Sequence, residues 1–475
     1  MKDRKINRFI RTERFRKSKF TRNTIDEFYS DRSRIIYSSS FRRLQQKAQV
    51  FSLEPNASVR TRMTHSLEVA DIGRTLANKI AYRLKTKKLI TNAAIPQLVA
   101  IVENACLLHD IGNPPFGHFG ESAIKEWAVV ILDIAEKAGL DKDNEKLSCL
   151  VNDFLEFDGN PQGFRIITKL HTEANDSFGL NLTYPTLLCA LKYSRAAGEP
   201  KGNGILKKAG YFQTEKSVVE QIYKDMGLDA RTRYPLTYIM EAADDISYCL
   251  SDIADGIEKR IITNEDFRRH FFEIWSEVYP NEKCPVKIPK GEYNFNLNVA
   301  VAWSKKAVDE AMKNFVENYD AFYKGRENQL IPEEGMGRVL EIVKRVSRKV
   351  LYTSLQAESI ELTGFAVITG ILKRYQRLLE LPYQTTDKNR RCFKALVDDE
   401  NPPILAYERR LFNQLGKRYK KAYEFACKEI QGDDDFIIKE WWLRTHLVID
   451  HISGMTDEFA LNTYQMLEGI QLLKV

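Results

Sequence analysis

Paired cysteines, long apolar runs and internal repeats are all missing from this sequence. The 475 residues include 7 cysteines, scattered without a CxxC pair, which argues against an all-thiolate zinc site and favours reduced thiols in the cytosol. No apolar run approaches the roughly 20 residues of a membrane helix, and no apolar stretch follows the basic first segment as in a secretory signal. We therefore expect a cytoplasmic protein without a membrane contact.

Strand-like segments are also scarce, and the hydrophobic pattern is mainly helical. A hydrophobic content of 43% and a charged content of 29% are typical of a globular protein. Apolar positions with helical spacing predict an all-α fold with few short strands. We expect three regions: a basic N-terminal arm over 1–40, a catalytic core over 41–280 and a C-terminal helical region over 281–475. The predicted helices cover 66–86, 97–109, 120–138, 163–172, 186–195, 215–226, 236–260, 300–324, 336–349, 364–380, 404–430 and 437–449.

Positive charge is in modest excess and is concentrated in two places. The net charge is +7, with basic residues clustered in the first 22 positions and again over 417–421. Such clusters are either solvated surface or sites that attract phosphate, in a nucleotide or a single-stranded nucleic acid. Phe9, Phe15 and Phe20 interleave with the first cluster and could stack on bases. Docking of these rings onto the protein's own core is the favoured interpretation.

Histidine is rare, with 7 residues in the chain, yet His109 and His118 lie close together. The adjacent His109 and Asp110 can both reach one divalent metal ion, although such a pair alone also arises by chance. The following Ile-Gly-Asn-Pro-Pro-Phe-Gly stretch cannot continue a helix, so the chain turns sharply after the pair. If a new helix begins there, His118 and Glu121 share a face. Glu121 can then orient His118 and tune its pKa for proton transfer.

Two further candidate ligands lie far away in the chain. His65 stands at the start of a helix-like pattern, and Asp244 lies within the predicted helix 236–260. Asp244, Tyr248 and Asp252 are spaced i, i+4, i+8 and share one helix face, which alone would suit a solvated stripe. Together with His65 and the 109–110 pair, a site of two histidines and two aspartates is the better account. Such ligands suit Mn, Fe, Co, Ni, Zn or Mg, and the sequence does not choose among them.

At this point the chain resembles a known family. The H…HD…D pattern resembles the HD-domain phosphohydrolases, and more narrowly the bacterial deoxyguanosine triphosphate triphosphohydrolases (dGTPases). Guanosine tetraphosphate hydrolases of the same superfamily carry acidic residues soon after the HD pair, where this chain has Gly-Asn-Pro-Pro. The segments that carry the resemblance are RRLQQKAQVF from Arg42, VRTRMTHS from Val59, HDIGNPPFGHFGE from His109, FDGNPQG from Phe157, EAADDISY from Glu241 and HISGMTD from His451.

The resemblance implies an HD-domain helical fold and hydrolysis of dGTP to deoxyguanosine and tripolyphosphate. It implies a divalent cofactor, Mn²⁺, Mg²⁺ or Co²⁺, held by His65, His109, Asp110 and Asp244, with His118 and Glu121 as catalytic residues. It also implies a homo-oligomer, with a hexamer suspected, in which 281–475 completes the nucleotide pocket and the oligomer contacts. Single-stranded DNA or a dNTP is an expected effector. The implied substrate-binding residues are Gln49, Arg62, Asn160, Lys192, Tyr248 and Asp252, with Glu361 and Arg410 as candidates for the base.

Three alternatives stay open at this point. The chain diverges from well-known dGTPases over 139–235 and 381–404, which also permits a dNTP triphosphohydrolase of broader specificity. A nucleotide phosphomonoesterase is another HD-type enzyme that the metal motif would suit. The third alternative is a non-catalytic nucleic-acid-binding regulator built on an HD fold, against which the six intact motif residues argue.

Overall fold

The protein is described by a computed structural model over residues 5–18, 21–171, 176–385, 391–398 and 405–470. These residues form helices joined by short turns, with only two isolated β-bridges, Ala48 to Thr61 and Ala196 to Tyr211. The predicted all-α class is therefore confirmed. The α-helices are α1 (Thr24–Tyr37), α2 (Ser39–Arg43), α3 (Arg62–Thr86), α4 (Ala94–Leu108), α5 (Gly117–Ala128), α6 (Ile131–Lys137), α7 (Glu145–Leu150), α8 (Asn152–Leu155), α9 (Gly159–Thr168), α10 (Tyr184–Ala190), α11 (Lys216–Met226), α12 (Thr237–Glu258), α13 (Asn264–Val278), α14 (Val301–Glu317), α15 (Tyr319–Tyr323), α16 (Met336–Val346), α17 (Leu355–Leu379), α18 (Lys394–Val397), α19 (Ala406–Gln414), α20 (Lys417–Glu429), α21 (Phe436–Ser453) and α22 (Asp457–Leu467). Shorter 3₁₀ turns are Ile6–Phe9, Leu44–Gln46, Gly204–Leu206 and Gln213–Glu215, and π-helical turns are Asn296–Ala300 and Ser347–Leu351.

The centre of the fold is the packing of α3, α4 and α12 against one another. Each helix buries an apolar face, for example Leu76 on α3, Ile101 on α4 and Ile246 on α12. Gly73 allows the close approach, because a Cβ there would lie 2.5 Å from the Cys106 sulfur. These three helices carry the candidate metal ligands, so their packing decides how the ligands meet.

The predicted helices are largely confirmed, with informative differences at their ends. The segment 120–138 is two helices, α5 and α6, and 404–430 is likewise divided into α19 and α20 next to Gly416. Helix α17 begins nine residues before the predicted 364, because Ser354 caps it by accepting from the Ala357 N–H. Helices α1 and α13 were not predicted, since their many charged residues hide a short apolar face. Helix α22, whose charged residues are Asp457 and Glu458, was not predicted either.

The first segment is docked on the core rather than extended as an arm. Phe9 is buried and packs edge-on against Tyr234, and Phe15 lies against Phe178. Arg14 is buried and pairs with carboxylates of α1. Docking of Phe9 and Phe15 onto the core is thus confirmed, whereas Phe20 lies outside the described residues.

Helix α17 connects the C-terminal helices to the centre, packing against α5, α21 and α22. Within the described residues it is the one helix whose length and composition would also suit a membrane span. Its buried face includes Ile368, Leu372 and Leu379. The helix therefore places α22 beside the turn that follows the HD pair.

A buried ion network ties α9 to α21. Arg165 donates to both Asp450 carboxylate oxygens and to Glu215, and all three residues are buried. Removing one charge from such a network leaves its partners buried and uncompensated.

We predict that Arg165→Met lowers the free energy of unfolding by about 3–5 kcal/mol, because Asp450 and Glu215 then lose their shared cation. The matched control is Arg374→Met, whose partner Glu468 is on the surface and whose loss should have little effect. Urea denaturation of both variants checks this. Equal stability of the two variants would contradict a structural role for the network.

Candidate functional site

Two histidines and one aspartate from three helices converge at the centre of the fold. His65 lies in the first turn of α3, His109 ends α4, and Asp244 lies on α12. One ligand atom from each lies within 4.8 Å of the others. The nearest approaches are 3.5 Å from His109 Nε2 and 3.6 Å from His65 Nε2 to Asp244 Oδ1. Three of the four predicted metal ligands thus form one cluster.

The imidazole nitrogens of this cluster lie where a metal ion could bind them. His109 Nδ1 lies 2.7 Å from the Cys106 carbonyl oxygen, to which an Nδ1–H can donate, so the ring turns its Nε2 toward the cluster. Nε2 of His109 and both ring nitrogens of His65 are buried without a hydrogen-bond partner. Buried polar atoms of this kind require an explanation, and a divalent cation beside Asp244 Oδ1 would satisfy Nε2 of His109 and Nε2 of His65.

Asp110, the fourth predicted ligand, is held slightly apart. Its Oδ2 accepts from Arg62 at 2.8 Å, and its Oδ1 accepts from the Asn113 amide at 2.5 Å. The same Oδ2 lies 3.6 Å from His109 Nε2. Burial would raise the pKa of Asp110, but His109, Arg62 and His65 lower it to about 2. Asp110 is therefore an ionised carboxylate at the edge of the cluster.

His118 and Glu121 form the predicted pair on α5. His118 Nδ1 lies 3.0 Å from Glu121 Oε2, while Glu121 Oε1 accepts the Gly159 N–H at 2.8 Å. Glu121 is buried, whereas 83% of the His118 side chain is exposed on the cavity wall. The hydrogen bond that His118 donates to Glu121 raises the pKa of His118. The buried carboxylate thus orients the ring and favours its protonated form.

Most of the predicted site residues line one cavity, which has a volume of about 620 Å³. His65 lies buried beneath the cavity, in the metal cluster. Arg410 is not part of the cavity lining: its side chain is exposed and donates to the Ala406 carbonyl of its own helix, so its expected contact with the base finds no support. The predicted residues that line the cavity are Gln49, Arg62, His109, Asp110, His118, Glu121, Asn160, Lys192, Asp244, Tyr248, Asp252 and Glu361.

Three cations face the cavity, each beside a carboxylate. Arg62 pairs with Asp110, and Lys192 Nζ lies 3.3 Å from Asp244 Oδ2. Lys208 pairs with Asp158 at 2.6 Å. Lys208 was not predicted, because it follows a Gly-rich loop and looks like surface charge in the sequence. These three cations lie on the cavity wall, where a polyphosphate could pair with them.

One part of the cavity wall contains polar atoms that have no hydrogen-bond partner. Gln49 Oε1 and Asp252 Oδ1 are buried without hydrogen bonds, and the Tyr352 hydroxyl donates to Asp252 Oδ2. Burial raises the pKa of Asp252 to about 7. Tyr352 was also missed by the sequence analysis, because nothing in its local pattern distinguishes it. A ligand hydroxyl could donate its proton to one of these oxygens.

Gly112 brings the two halves of the site together. A Cβ at this position would lie 2.1 Å from the Gly159 carbonyl oxygen and 2.1 Å from the Gly163 nitrogen. The turn after the HD pair therefore touches the first turn of α9, which carries Asn160. Glycine is needed here for close backbone approach.

Comparisons with known proteins agree with this geometry. The HD domain family matches residues 62–177. The chain is 35% identical over 510 residues to the deoxyguanosinetriphosphate triphosphohydrolase of Enterobacter sp. (strain 638), covering 98% of each chain. It is 36% identical over 487 residues to the protein of that name from Serratia proteamaculans (strain 568), covering 93% of this chain and 94% of that one. It is also 36% identical over 485 residues to the protein of that name from Yersinia pseudotuberculosis serotype O:3 (strain YPIII), covering 93% of each chain. By this similarity along nearly its whole length, the chain belongs to the deoxyguanosinetriphosphate triphosphohydrolase family, within the HD-domain proteins.

Proposed function

We propose that this protein hydrolyses dGTP to deoxyguanosine and tripolyphosphate with the help of a divalent metal ion. The observation that carries the proposal is one cavity in which a buried His, His, Asp cluster, an oriented His118 and three cations meet. The names of its relatives support the choice of substrate. A dNTP triphosphohydrolase of broader specificity is the second candidate, because Arg410, one of the two residues expected at the base, lies outside the cavity lining.

His65, His109, Asp110 and Asp244 are the residues that would hold the metal ion. Their mixture of imidazole and carboxylate ligands suits Mn²⁺, Mg²⁺ or Co²⁺. When bound, the metal supplies Lewis acidity toward the α-phosphate and orients the attacking water. The unpaired buried nitrogens of His65 and His109 support this ligand set.

The cations of the cavity would bind the triphosphate. A triphosphate carries about four negative charges, which exceeds what one divalent ion neutralises. Arg62, Lys192 and Lys208 lie on the cavity wall, and Asn160 adds an amide at the start of α9. Because these groups sit beside carboxylates in the free protein, a bound polyphosphate would compete for them.

His118 is suited to donate a proton in this reaction. Release of intact tripolyphosphate requires the bond between the α-phosphorus and the 5′ oxygen to break. Water supplies the new oxygen on phosphorus, and the departing 5′ oxygen must gain a proton. Since Glu121 raises the pKa of His118, the imidazolium form persists to higher pH than in an unperturbed imidazole and can deliver that proton.

The other end of the cavity would hold the deoxynucleoside. Gln49 and Asp252 each offer a buried, unpaired oxygen to the sugar 3′-hydroxyl. Tyr248, on the same face of α12, would pack under the sugar and leave no room for a 2′-hydroxyl. Glu361 on α17 could accept from the N1 and N2 donors of guanine. These contacts would favour deoxynucleotides and, among them, dGTP.

Assembly, control and location remain predictions. A homo-oligomer, with a hexamer suspected, a single-stranded DNA or dNTP effector and a cytoplasmic location follow from the family resemblance and the composition. Some charges of the two basic clusters are turned inward: Arg14 pairs with α1, and Arg418 donates to Ser39 and Ser40. An effector would therefore bind only the remainder of each cluster.

We expect the purified protein to release tripolyphosphate from dGTP when Mn²⁺ or Mg²⁺ is present. The measurement is to incubate it with each of the four dNTPs and to identify the phosphate product by ion chromatography. Comparable rates on all four would favour the broader enzyme. Release of single phosphates, or no turnover of any dNTP, would contradict the proposed reaction.

His109→Ala should lose the bound metal and reduce kcat by more than roughly 100-fold, because a first ligand is removed while the apolar surroundings stay intact. Metal analysis and circular dichroism of the variant check this. The matched control is His270→Ala, whose ring pairs with Glu273 on α13, away from the site. Full metal content and full activity in His109→Ala would refute the ligand assignment.

Glu121→Gln should move the alkaline limb of the kcat profile to lower pH. The reason is that Glu121 raises the pKa of His118, so without its charge the imidazolium deprotonates earlier as pH rises. Rates measured from pH 5 to 10 at saturating dGTP test this shift. An unmoved alkaline limb would mean that His118 is not the proton donor.

A further inference from the structure

The HISGMTD segment ends in Asp457, a buried carboxylate that the proposed chemistry does not use. Asp457 begins α22 and is 3% exposed. Its Oδ2 accepts the Ala48 N–H at 3.1 Å, and its Oδ1 accepts the Phe116 N–H at 3.0 Å. One side chain thus joins two segments that are 68 residues apart in sequence and both line the cavity.

The first of these segments lies between Asp457 and the start of α3. Ala48 forms a β-bridge with Thr61, the N-cap of α3, and the Arg62 N–H donates to the Lys47 carbonyl at 2.8 Å. Gln49, the residue next to Ala48, lines the cavity. Holding Ala48 therefore holds both Gln49 and the turn that leads into the metal cluster.

The second segment contains an unusual backbone conformation. Phe116 has a φ of 59°, which is unfavourable for a bulky residue and persists only where surrounding contacts enforce it. Its side chain packs on Gly364 of α17, where a Cβ would lie 2.4 Å from the Phe116 Cβ. His118 follows two residues later in the first turn of α5. The Phe116 conformation consequently sets the direction in which His118 leaves the turn.

A buried lysine crosses the same junction. Lys47 Nζ donates to the Asn113 carbonyl at 2.5 Å and to the Ser453 carbonyl at 2.8 Å, and Lys47 is 3% exposed. Burial lowers the pKa of Lys47 to about 7. Lys47 and Asp457 thus link the same three segments through hydrogen bonds to backbone groups.

We propose that Asp457 is a positioning residue that aligns His118 with Gln49 by holding the backbones of Phe116 and Ala48. The proposal rests on the proposed function, because it assigns these two side chains to the proton donor and the sugar contact. Asp457 lies at the start of α22 and joins two cavity-lining segments through backbone N–H groups. Its effect is therefore expected on turnover rather than on metal binding.

The test compares Asp457→Asn with Glu458→Gln in the full chain. Glu458 is the exposed neighbour in the same helical turn, so its variant loses the same charge without touching either segment. We expect Asp457→Asn to lower kcat for dGTP by roughly 10- to 100-fold, since an ångström of misplacement has this effect, with bound metal unchanged. Amide hydrogen exchange should accelerate over 45–50 and 112–119 in this variant alone.

A double-mutant cycle separates positioning from general stability. In a His118→Ala background the Asp457→Asn change should have little further effect on kcat, because residues acting as a unit are non-additive. Fully additive losses of kcat in the double variant would overturn the proposal. So would an amide exchange rate and a kcat in Asp457→Asn that equal those of Glu458→Gln.

If Asp457→Asn does not fold, slow exchange of the Ala48 and Phe116 amides in the unaltered protein supports the proposal and fast exchange overturns it. Faster exchange in a protein that hydrolyses no dNTP would overturn the proposed function while supporting the backbone contacts of Asp457.

Discussion

Two buried imidazoles with unpaired nitrogens, facing one carboxylate, are the constraint around which this structure is organised. His65, His109 and Asp244 come from three helices, and their meeting requires α3, α4 and α12 to pack closely. The apolar faces of those helices provide the driving force for this packing. The free energy gained by burying their side chains far exceeds the free-energy cost of desolvating a few polar atoms. A cation between the two Nε2 atoms and Asp244 would satisfy these nitrogens, so the helix packing leaves a candidate metal site inside the core.

The substrate-facing residues depend on this centre through close backbone contacts. The turn after the HD pair touches α9 at Gly112, and the Glu121 carboxylate bonds both His118 and the start of α9. The cluster of His65, His109 and Asp244, the His118 ring and Asn160 are thus linked through close backbone and side-chain contacts.

The C-terminal helices are part of the site rather than an addition to it. Helix α17 brings Glu361 to the cavity and supports Phe116, while Asp457 and Lys47 join the last helices to the loops around the metal cluster. Most of these contacts are hydrogen bonds between a side chain and the backbone. Because the partner segment contributes only backbone N–H or carbonyl groups, the contact does not depend on which side chains that segment carries. The sequence of the partner segment therefore does not reveal the contact.

Local patterns in the sequence determined the helices and the motif residues of this protein. Periodic apolar positions predict a helix from their own neighbourhood, and the HD pair with its Gly/Pro turn indicates a metal site and a nearby His118, because these features depend on residues close in the chain. Only the tertiary structure decided which distant residues meet. It brought Lys208, Tyr352 and Asp457 to the site, left Arg410 outside the cavity lining, and set Asp110 beside Arg62 at the edge of the cluster. The physical reason is that these juxtapositions arise from helix packing and buried hydrogen bonds between segments tens to hundreds of residues apart, which no local spacing encodes.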